Sequence, residues 1–505
     1  MLEKIDTTYT GTDMDLIHTG SHTLVDECHG FSDKPNNHSI TPEDTSLEEK
    51  KILKSLDIHM MPLFCIFYFV DFLDRANIGN ATLAGIQDDL HLTPAQLSTA
   101  ISAFYITYII FEVPSNMVLK RTNAVMWLSS IMLLWGFMTV IMAFAHNFAG
   151  LLVCRLLLGA AESGYVPGIL YMMSKVYRPR EFGLRVALLI CMSSIAGIVS
   201  GPIAYGTSFL EGKGGLHGWQ YLFIIEGIPT VILSVISFFY LFDDVQKVPW
   251  LSVRQKALHQ QYTQTPKGQG SSTWVCFVKS LKDWKTTMFS VVYFLNAITV
   301  VSCQVFIPTI IDGFGFPVLT SQLLSAPPYV MQTVMIIAGG YMADKYTNKR
   351  GVLMATGFFI AAVGYMLLIV LESRWSRYAS LFVIASGIGL QAPANVGWSS
   401  INFPDLEIRV IAVAIVVMVG NSGGIVSSYL YPLSDGPHYY FGNIFNLVCG
   451  VIGALWSGLT SYLLYRENKK MDRQYQEFGS ETGRDNGQEE EEGQHQQQTQ
   501  FRYYY

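Results

Sequence analysis

Charged residues are scarce in this chain of 505 residues, because only 14% of its positions are Asp, Glu, Lys or Arg. Soluble proteins carry about 25%. Half of the residues are hydrophobic, and the mean hydropathy is positive. A soluble core has no use for so much apolar sequence, so the composition indicates an integral membrane protein.

Motifs of catalysis and metal binding are missing as well. The seven cysteines are scattered, most of them within apolar runs, and have no spacing typical of a metal site or a disulfide framework. No nucleophile and base set, metal cluster or phosphate-binding loop is recognisable. We therefore expect no enzyme, no metal site, no cofactor and no nucleic-acid partner.

The two ends of the chain have little apolar sequence. Residues 1–50 have no apolar core of a signal peptide and are rich in Asp, Thr, Ser and Asn, which predicts a disordered cytosolic tail. Residues 467–505 contain an acidic run and a glutamine run, and this composition predicts a second disordered cytosolic tail.

Between the tails, apolar runs alternate with short polar turns. About 20 residues are needed to cross the hydrocarbon layer, and twelve runs reach that length. The predicted spans are 58–80, 95–117, 124–145, 149–173, 184–209, 219–242, 286–311, 319–343, 351–371, 378–401, 410–431 and 442–465. Thr93 to Gln96 reads as a capping box that opens the second helix.

Lysine and arginine are concentrated in every second turn between the spans. Nearly all of them fall before the first span, in the turns after even-numbered spans, or after the last span, whereas Lys213, Arg374 and Arg377 fall on the other side. The positive-inside rule therefore predicts that both termini are cytosolic. A polar connection over 244–285, with a capping box at Ser252 to Gln255 and a short amphipathic helix at about 253–262, separates two six-helix halves, 51–243 and 286–466.

Arg155 and Glu162 stand out because they lie inside the fourth span, where a charge costs roughly 2.5–3.5 kcal/mol on insertion scales. Seven residues apart, they face the same way but are about 10 Å from each other, too far for one salt bridge. Arg155 either pairs with a carboxylate of the first helix or binds a substrate carboxylate, and Glu162 is then free to titrate.

The first helix carries Asp71, Asp74 and Arg75, which we expect on one face. Asp71 and Arg75 either neutralise each other or cap the helix, or one aspartate accepts a coupling proton under the influence of Arg75. Glu226 in the sixth helix is a second proton-site candidate. Glu112 in the second helix is expected to pair with basic residues of the turn after the fourth span.

The second half has no comparable ionisable residue inside its helices. Its candidates are neutral amides that can orient a polar substrate or bond between helices: Asn296, Gln304, Gln391, Asn395 and Asn421. Aromatic side chains that can line a cavity or simply pack are Tyr105, Tyr108, Tyr165, Tyr293 and Trp398.

Several motifs resemble those of one transporter family. The segment Leu73 to Ala81 reads LDRANIGNA and resembles the signature of the anion:cation symporter, or allantoate permease, family of the major facilitator superfamily, which is largely fungal. Pro114 to Asn116, His217 to Gly227 and Gly420 to Gly424 are similar to the same family. The resemblance covers about residues 50 to 470 and implies an all-α membrane protein with twelve transmembrane helices in two pseudo-symmetric six-helix bundles.

A second superfamily motif indicates a gate. The sequence from Gly340 to Arg350 resembles a loop between the eighth and ninth helices in which an aspartate at a helix end pairs with basic residues in one state and not in another. Its counterpart after the second helix keeps two basic residues but lacks the aspartate. The gating candidates are Glu112, Lys120, Arg121, Arg178, Arg180, Gly340, Asp344, Lys345 and Arg350. The alternative is that the turn charges only set the topology.

Together these features predict a proton-coupled, monomeric transporter of the plasma membrane that acts by alternating access. The resemblance implies uptake of an organic anion such as allantoate, nicotinate or pantothenate. The pattern GPxxxG from Gly201 to Gly206 resembles a motif of drug/proton antiporters, which implies an alternative, export of an acidic metabolite by proton antiport. A receptor that binds a nutrient without moving it is an alternative of another class.

Overall fold

The computed structural model describes residues 42–242, 244–263, 273–482 and 502–505, and these residues form helices, turns and no strands. Helices are expected because a backbone in lipid must satisfy its own hydrogen bonds. Most of the predicted tails, residues 1–41 and 483–501, lies outside the described residues. From Glu48 onward the described chain forms one compact unit.

Twelve helices within the described residues are long and apolar enough to cross a membrane. Numbered in chain order, they are α1 (Glu48–Leu83), α2 (Pro94–Leu119), α3 (Ala124–Met142), α4 (Phe148–Val176), α5 (Gly183–Ser208), α6 (Gly218–Tyr240), α7 (Trp284–Asp312), α8 (Val318–Lys345), α9 (Arg350–Val370), α10 (Arg374–Ile401), α11 (Ile408–Ser427) and α12 (Tyr440–Gln474). Each contains most of one predicted span, so the all-α fold with twelve membrane helices is confirmed.

Some of these helices are broken or extended. Breaks lie at Met60 in α1, between Glu162 and Tyr165 in α4, at Ser325 in α8 and at Ser422 in α11. Helical structure continues beyond the apolar part of α2 to Arg121, begins at Pro179 before α5, and continues from α12 to Thr482. The end of α12 already passes the predicted end of the last span at residue 465, in a polar segment where Glu467 pairs with Lys470 along the helix.

Both predicted capping boxes are present. The Thr93 side chain accepts a hydrogen bond from the Gln96 backbone (3.3 Å), and the Gln96 side chain accepts one from the Thr93 backbone (2.9 Å). Ser252 and Gln255 exchange the same two bonds at 3.2 and 3.0 Å. The sequence therefore placed these two helix starts correctly, because capping depends on neighbouring residues only.

The connection between α6 and α7 contains two helices, Val253–Thr263 and Thr273–Lys282. The first was predicted as an amphipathic helix, but its apolar face is weak, since Val253 is 85% exposed. It is held instead by a hydrogen bond between His259 Nε2 and the Val176 carbonyl at the end of α4 (2.8 Å). The second helix was not predicted.

We call α1–α6 the first half and α7–α12 the second half. Within the first half α1 packs on α5, α2 on α4 and α3 on α6; within the second, α9 packs on α10 and α12, and α8 on α10. Contacts between the halves run chiefly between α1 and α7 and between α5 and α8.

The basic face is the end of the helices that carries Lys175, Arg178, Lys345 and Lys349, and the far face is the opposite end. The halves touch near the far face, where Tyr429 after α11 lies 3.2 Å from the Ser102 hydroxyl of α2. In the same region the α1 backbone at Gly79 is so close to the Val305 carbonyl of α7 that a Cβ there would lie 2.0 Å from the oxygen. The far-face end of the interface is thus closely packed.

Candidate functional site

The first half buries an unusual number of ionisable side chains. Asp71 and Asp74 on α1, Arg155 and Glu162 on α4, and Glu226 on α6 are all at most 2% exposed. A charge in the middle of a membrane is costly, so such groups are retained for pairing, substrate binding or proton transfer. They are brought together because α1 contacts α6 and, through its arginine, α4.

Arg75 joins two of these carboxylates. Its Nη2 lies 3.2 Å from Asp71 Oδ2, one turn earlier on α1, and its Nε donates a hydrogen bond to Glu162 Oε1 on α4. The break in α4 follows directly after Glu162. The expected pairing of Asp71 with Arg75 is therefore seen, but the α4 glutamate shares the same guanidinium.

Aromatic rings surround the Arg75 guanidinium. Its Cζ lies 4.8 Å from the ring centre of Phe72, 5.0 Å from that of Tyr108 and 5.8 Å from that of Phe104. Rings at these distances attract a cation through their quadrupoles. The Arg75 side chain nevertheless keeps 15% of its surface exposed, more than the two carboxylates that it contacts.

Asp74 does not share the surroundings of Arg75, contrary to the expectation that the three charged residues of α1 face one way. Its Oδ2 accepts hydrogen bonds from Trp135 Nε1 on α3 and Thr230 Oγ1 on α6, each 3.0 Å long. Adjacent residues of a helix point about 100° apart, so Asp74 turns toward α3 and α6 while Arg75 turns toward α4. Its Oδ1 has no hydrogen-bond partner among the described residues.

Arg155 has no carboxylate within salt-bridge distance in the described part of the chain. Its Nη2 donates to Asn77 Oδ1 on α1 at 3.3 Å, and its Nε is buried without a hydrogen bond. The alternative in which Arg155 pairs directly with Asp71 or Asp74 is therefore not realised in this structure. The guanidinium is 2% exposed and keeps donors that an anion could occupy.

Glu226 lies close to Asn77 and Asp74, on the side of α1 that faces α6. It is 1% exposed, and neither of its carboxylate oxygens makes a hydrogen bond of ordinary geometry with a described residue. An ionised carboxylate is unfavourable in such a place, because burial removes its water without supplying donors. The position therefore suits a carboxyl group that carries a proton during part of its working cycle.

The amides of the second half form a short chain between α7 and α10. Asn395 Nδ2 donates to Asn296 Oδ1 at 2.8 Å, and Asn296 Nδ2 donates to Gln391 Oε1. Gln391 Nε2 is buried and unbonded among the described residues, which leaves a donor for a further acceptor. No hydrogen bond of the Gln304 side chain is described; only its backbone carbonyl accepts one, from Tyr329 at 3.4 Å.

One acidic side chain connects the halves. Glu112 on α2 lies beside Asn421 of α11, with Tyr293 of α7 and Arg75 nearby. The expected pairing of Glu112 with the basic turn after α4 is not found among the described side chains, because Arg178 contacts Glu49 at 3.2 Å and Lys175 lies over the Tyr171 ring. Glu112 is too deep in the helix interface to reach that turn.

The gating candidates other than Glu112 lie at the basic face. Arg350 Nη2 is 3.9 Å from Asp344 Oδ1, and Lys345 lies near the rings of Tyr341 and Tyr346. A Cβ added at Gly340 would lie 3.8 Å from Ala187 on α5, so α8 and α5 are still neighbours there. Arg121 is exposed, and the side chains of Lys120 and Arg180 lie outside the described residues.

Sequence reasoning missed several partners. Asp57 accepts hydrogen bonds from two nitrogens of Arg185, and Arg185 Nε lies 2.6 Å from Asp57 Oδ1. This bidentate ion pair links α1 to α5 at the basic face. Trp135 and Thr230 were also missed. The available signal was the tryptophan inside an apolar helix, because a buried indole N–H needs an acceptor. Trp398, expected as a cavity candidate, is fully buried against Phe289 instead.

The arrangement offers a cation for an anionic ligand, carboxyl groups for protons and amides for polar atoms. Among the described residues, no group of three His, Cys, Asp or Glu side chains is arranged to hold a metal ion. These groups are able to bind an anion and to exchange protons.

Comparisons with known proteins show similarity to membrane transporters. The sequence profile of the Major Facilitator Superfamily matches residues 64–428. The chain is 31% identical to the MFS-type transporter efuF of Hormonema carpetanum, over 78% of this chain and 81% of that protein. It is 28% identical to the high-affinity nicotinic acid transporter of Saccharomyces cerevisiae, over 85% of this chain and 80% of that one.

Among solved structures, the chain resembles a bacterial homologue of the human lysosomal transporter Spinster in an inward-facing and unoccupied conformation. The TM-score is 0.63 at 17% sequence identity, and the match covers 80% of this chain and 96% of the bacterial one. At this identity the similarity concerns the fold alone.

Proposed function

The chain belongs to the Major Facilitator Superfamily of transporters, and we propose that it is a proton-coupled symporter that imports a small organic anion. Membership and the twelve apolar helices make it a multi-pass membrane transporter of a small molecule. The proposal adds the charge of the substrate, the coupling ion and the direction. It draws on the anion:cation symporter motifs from Leu73 to Ala81 and on the geometry of the buried charges.

The observation that carries the proposal is the state of Arg155. A buried guanidinium without a carboxylate partner is unfavourable unless another anion completes it. Arg155 keeps an unbonded Nε and is held by the neutral Asn77 alone among the described residues. A substrate carboxylate would accept two parallel hydrogen bonds from such a group. We therefore assign Arg155 as the anion-binding residue.

Proton coupling follows from the excess of acids. Five carboxyl groups, Asp71, Asp74, Glu112, Glu162 and Glu226, are buried around two guanidinium groups, Arg75 and Arg155. The cluster cannot hold five ionised carboxylates in a medium of low dielectric constant, so protons must compensate the remainder. Glu162 and Asp71 compete for Arg75, which makes their protonation sensitive to any anion that approaches the same guanidinium.

The proposed cycle uses this competition. A proton on Glu162 releases Arg75 from one of its two carboxylates, and Arg75 then joins Arg155 in holding the substrate anion. Loss of the proton restores the Arg75 to Glu162 contact and displaces the substrate. Asp74 of α1 and Glu226 of α6 lie on the side of α1 opposite Arg75 and supply a second site that can hold a proton. Asn77 lies between that site and Arg155.

The substrate class is narrowed by what surrounds the cations. Tyr108, Phe104 and Phe72 lie around Arg75, and Tyr293 of the second half is close to it. Such surroundings suit a flat carboxylate, and one relative is a transporter of nicotinic acid. The amide chain of Asn296, Gln391 and Asn395 would accept and donate hydrogen bonds at the polar end of the substrate. Allantoate and pantothenate are also carboxylates, so both belong to the proposed class of substrates.

Alternating access would involve the two six-helix halves, with the basic face in the cytosol of a plasma-membrane protein that acts as a monomer. The far face is closed by Tyr429 and Ser102 and by the contact of α1 with α7. Opening it would separate these contacts while the Asp344 and Arg350 region closes the basic face. A 3.9 Å distance between Asp344 and Arg350 is loose enough to tighten in that step.

The experiment is uptake into proteoliposomes that contain the purified protein, with [14C]nicotinate as the first probe and a panel of other carboxylates after it. An inward proton gradient is expected to drive accumulation, and a protonophore is expected to abolish it. Liposomes with Arg155→Gln are the matched control. Accumulation only when the proton gradient is reversed would support export, and saturable binding without flux for every carboxylate would support a receptor.

A further inference from the structure

Residues Arg502 to Tyr505 lie against the basic-face ends of three helices of the second half. Their contacts are with Lys285 at the start of α7, with Trp398 and Asn402 at the end of α10, and with Asn468 of α12. The transport cycle described above gives this segment no role. Its contacts are polar and numerous.

Two asparagines recognise the backbone of the segment. Tyr504 N–H donates to Asn402 Oδ1 at 2.8 Å, and Asn402 Nδ2 donates back to the Tyr504 carbonyl at 3.0 Å. Asn468 forms the same pair with Tyr503, at 2.9 and 2.8 Å. Trp398 Nε1 adds a 2.8 Å bond to the Tyr504 carbonyl. Bonds of this kind bind an extended peptide in the way that a sheet edge does.

Side chains of the segment add selectivity for aromatic residues. Lys285 Nζ lies 3.2 Å from the Tyr503 hydroxyl and 4.5 Å from the centre of its ring. The Tyr505 ring packs edge-on against Tyr465, with the ring centres 5.4 Å apart. Arg502 contacts Asp472 at 3.2 Å, but both side chains are well exposed, so this ion pair contributes little.

The residues that receive the segment are enclosed when it is docked. With residues 502–505 in place, Trp398 and Asn402 are fully buried, and Lys285 and Asn468 are less than a tenth exposed. Without the segment, the Trp398 indole N–H and the Asn468 side-chain amide would lose the protein hydrogen bonds that this structure gives them. Buried polar groups are costly when unbonded, so these side chains indicate a site for a peptide backbone.

We propose that Lys285, Trp398, Asn402 and Asn468 form a peptide-binding cleft, and that residues 502–505 occupy it as an intramolecular latch. The latch joins the ends of α7, α10 and α12. Trp398 packs on Phe289 of α7, with ring centres 5.0 Å apart, and lies one turn after Asn395 in the amide chain. Docking therefore fixes α7 against α10, the two helices that carry that chain.

The test is photo-cross-linking in the full-length protein in membranes. Tyr505 is replaced by p-benzoylphenylalanine, which keeps an aromatic ring next to Tyr465, and the protein is irradiated and digested. A cross-link within one chain to the peptide around Tyr465 is expected. Asn402→Ala is expected to lower its yield about tenfold, the factor that corresponds to losing two hydrogen bonds, whereas Arg502→Ala leaves it unchanged.

A second measurement covers the case in which Asn402→Ala fails to fold. The synthetic peptide acetyl-Arg-Tyr-Tyr-Tyr-amide is added to the full-length protein, and it is expected to reduce the internal cross-link in a dose-dependent way. A peptide with the same composition but an N-methylated backbone at the position of Tyr504 is expected to have no effect. Cross-links that resist the first peptide, or that reach lipid or another copy of the chain, would overturn the proposal.

Discussion

Arg75 and Arg155 illustrate two different uses of a buried guanidinium. Arg75 is held by Asp71 and Glu162 and enclosed by aromatic rings, so its charge is compensated within the protein. Among the described residues, Arg155 donates a hydrogen bond only to the neutral Asn77, so its charge is available to bind an anion. A residue that lacks a partner in one state is the natural place for a ligand that is present in another.

Replacing Arg155 with glutamine is expected to lower kcat/KM for uptake roughly 100-fold or more, because loss of one member of a buried charge pair costs about 2–5 kcal/mol. Lysine at this position keeps the charge but not the planar fork, and should also fail. Initial uptake rates in proteoliposomes provide the measurement. Arg377→Gln, which removes a buried arginine of α10 that lies over the Phe314 ring, is the control and should transport normally.

Equal rates for Arg155→Gln and the unsubstituted protein, at equal protein incorporation, would remove Arg155 from substrate binding. The proposal would then have to place the anion at Arg75.

Replacing Glu226 with glutamine is expected to abolish proton-driven accumulation without harming the fold. Neither carboxylate oxygen of Glu226 makes a hydrogen bond of ordinary geometry with a described residue, although Asn77 is close, so removing the ionisable group relieves a cost of burial. The melting temperature is expected to rise by about 2–4 °C. Thermal unfolding followed by fluorescence and uptake under a proton gradient measure the two effects. Glu467→Gln, at the exposed pair with Lys470, serves as the control.

A lower melting temperature together with normal coupling would show instead that Glu226 is only a structural residue.

At the scale of helices, the closed far face depends on how near α1 comes to α7. Gly79 has no side chain, and its position against the Val305 carbonyl leaves no room for one. The backbones meet there while Tyr429 contacts Ser102 between α11 and α2. Alternating access requires such contacts to form and separate, so the glycine matters for one conformation more than for the fold.

Gly79→Ala is expected to disfavour this closed conformation, because its Cβ would lie 2.0 Å from a backbone oxygen that cannot move alone. Transport should fall strongly, and a cysteine placed at Ser98, near the far face, should react faster with a membrane-impermeant maleimide. Gly206→Ala on α5 is the matched control, since a Cβ there meets nothing within 4 Å.

If Gly79→Ala transports normally and the cysteine at position 98 reacts no faster, the α1 to α7 contact does not limit opening of the far face.

For the whole molecule, the uneven distribution of lysine and arginine sets the orientation. The basic face carries Lys175, Lys345 and Lys349, while the far face carries Lys213, Arg374 and Arg377. Translocation across a membrane disfavours the basic turns, so these should stay in the cytosol. With the basic turns in the cytosol, as proposed, the closed far face would point outward and this structure would be a state closed to the outside.

Single cysteines at position 213 and position 349 are expected to behave oppositely in intact cells. Both lysines are exposed, so neither substitution disturbs packing. A membrane-impermeant maleimide should label the cysteine at 213 directly and the one at 349 only after permeabilisation. The unsubstituted chain gives the background, since its six described cysteines are buried or half-buried. The reverse labelling pattern would show that the basic face lies outside the cell and would overturn the proposed topology.

The sequence by itself determined the twelve membrane helices, the basic side and the identity of the buried ionisable residues. Hydropathy and lysine content are local properties, and each segment must satisfy its own backbone in lipid, so no knowledge of neighbours is needed. The motif LDRANIGNA contains two of the predicted site residues, Asp74 and Arg75, whereas Asn77 was not predicted.

Only the tertiary structure decided which charges meet. In the structure, Arg75 contacts both Asp71 and Glu162. Asp74 accepts hydrogen bonds from Trp135 and Thr230, and Glu112 lies beside Asn421. Residues 502–505 bind to Asn402 and Asn468. These contacts depend on how helices far apart in sequence are rotated and shifted against one another. A helix pattern fixes which residues share a face but not which face a neighbour presents, and that choice comes from packing.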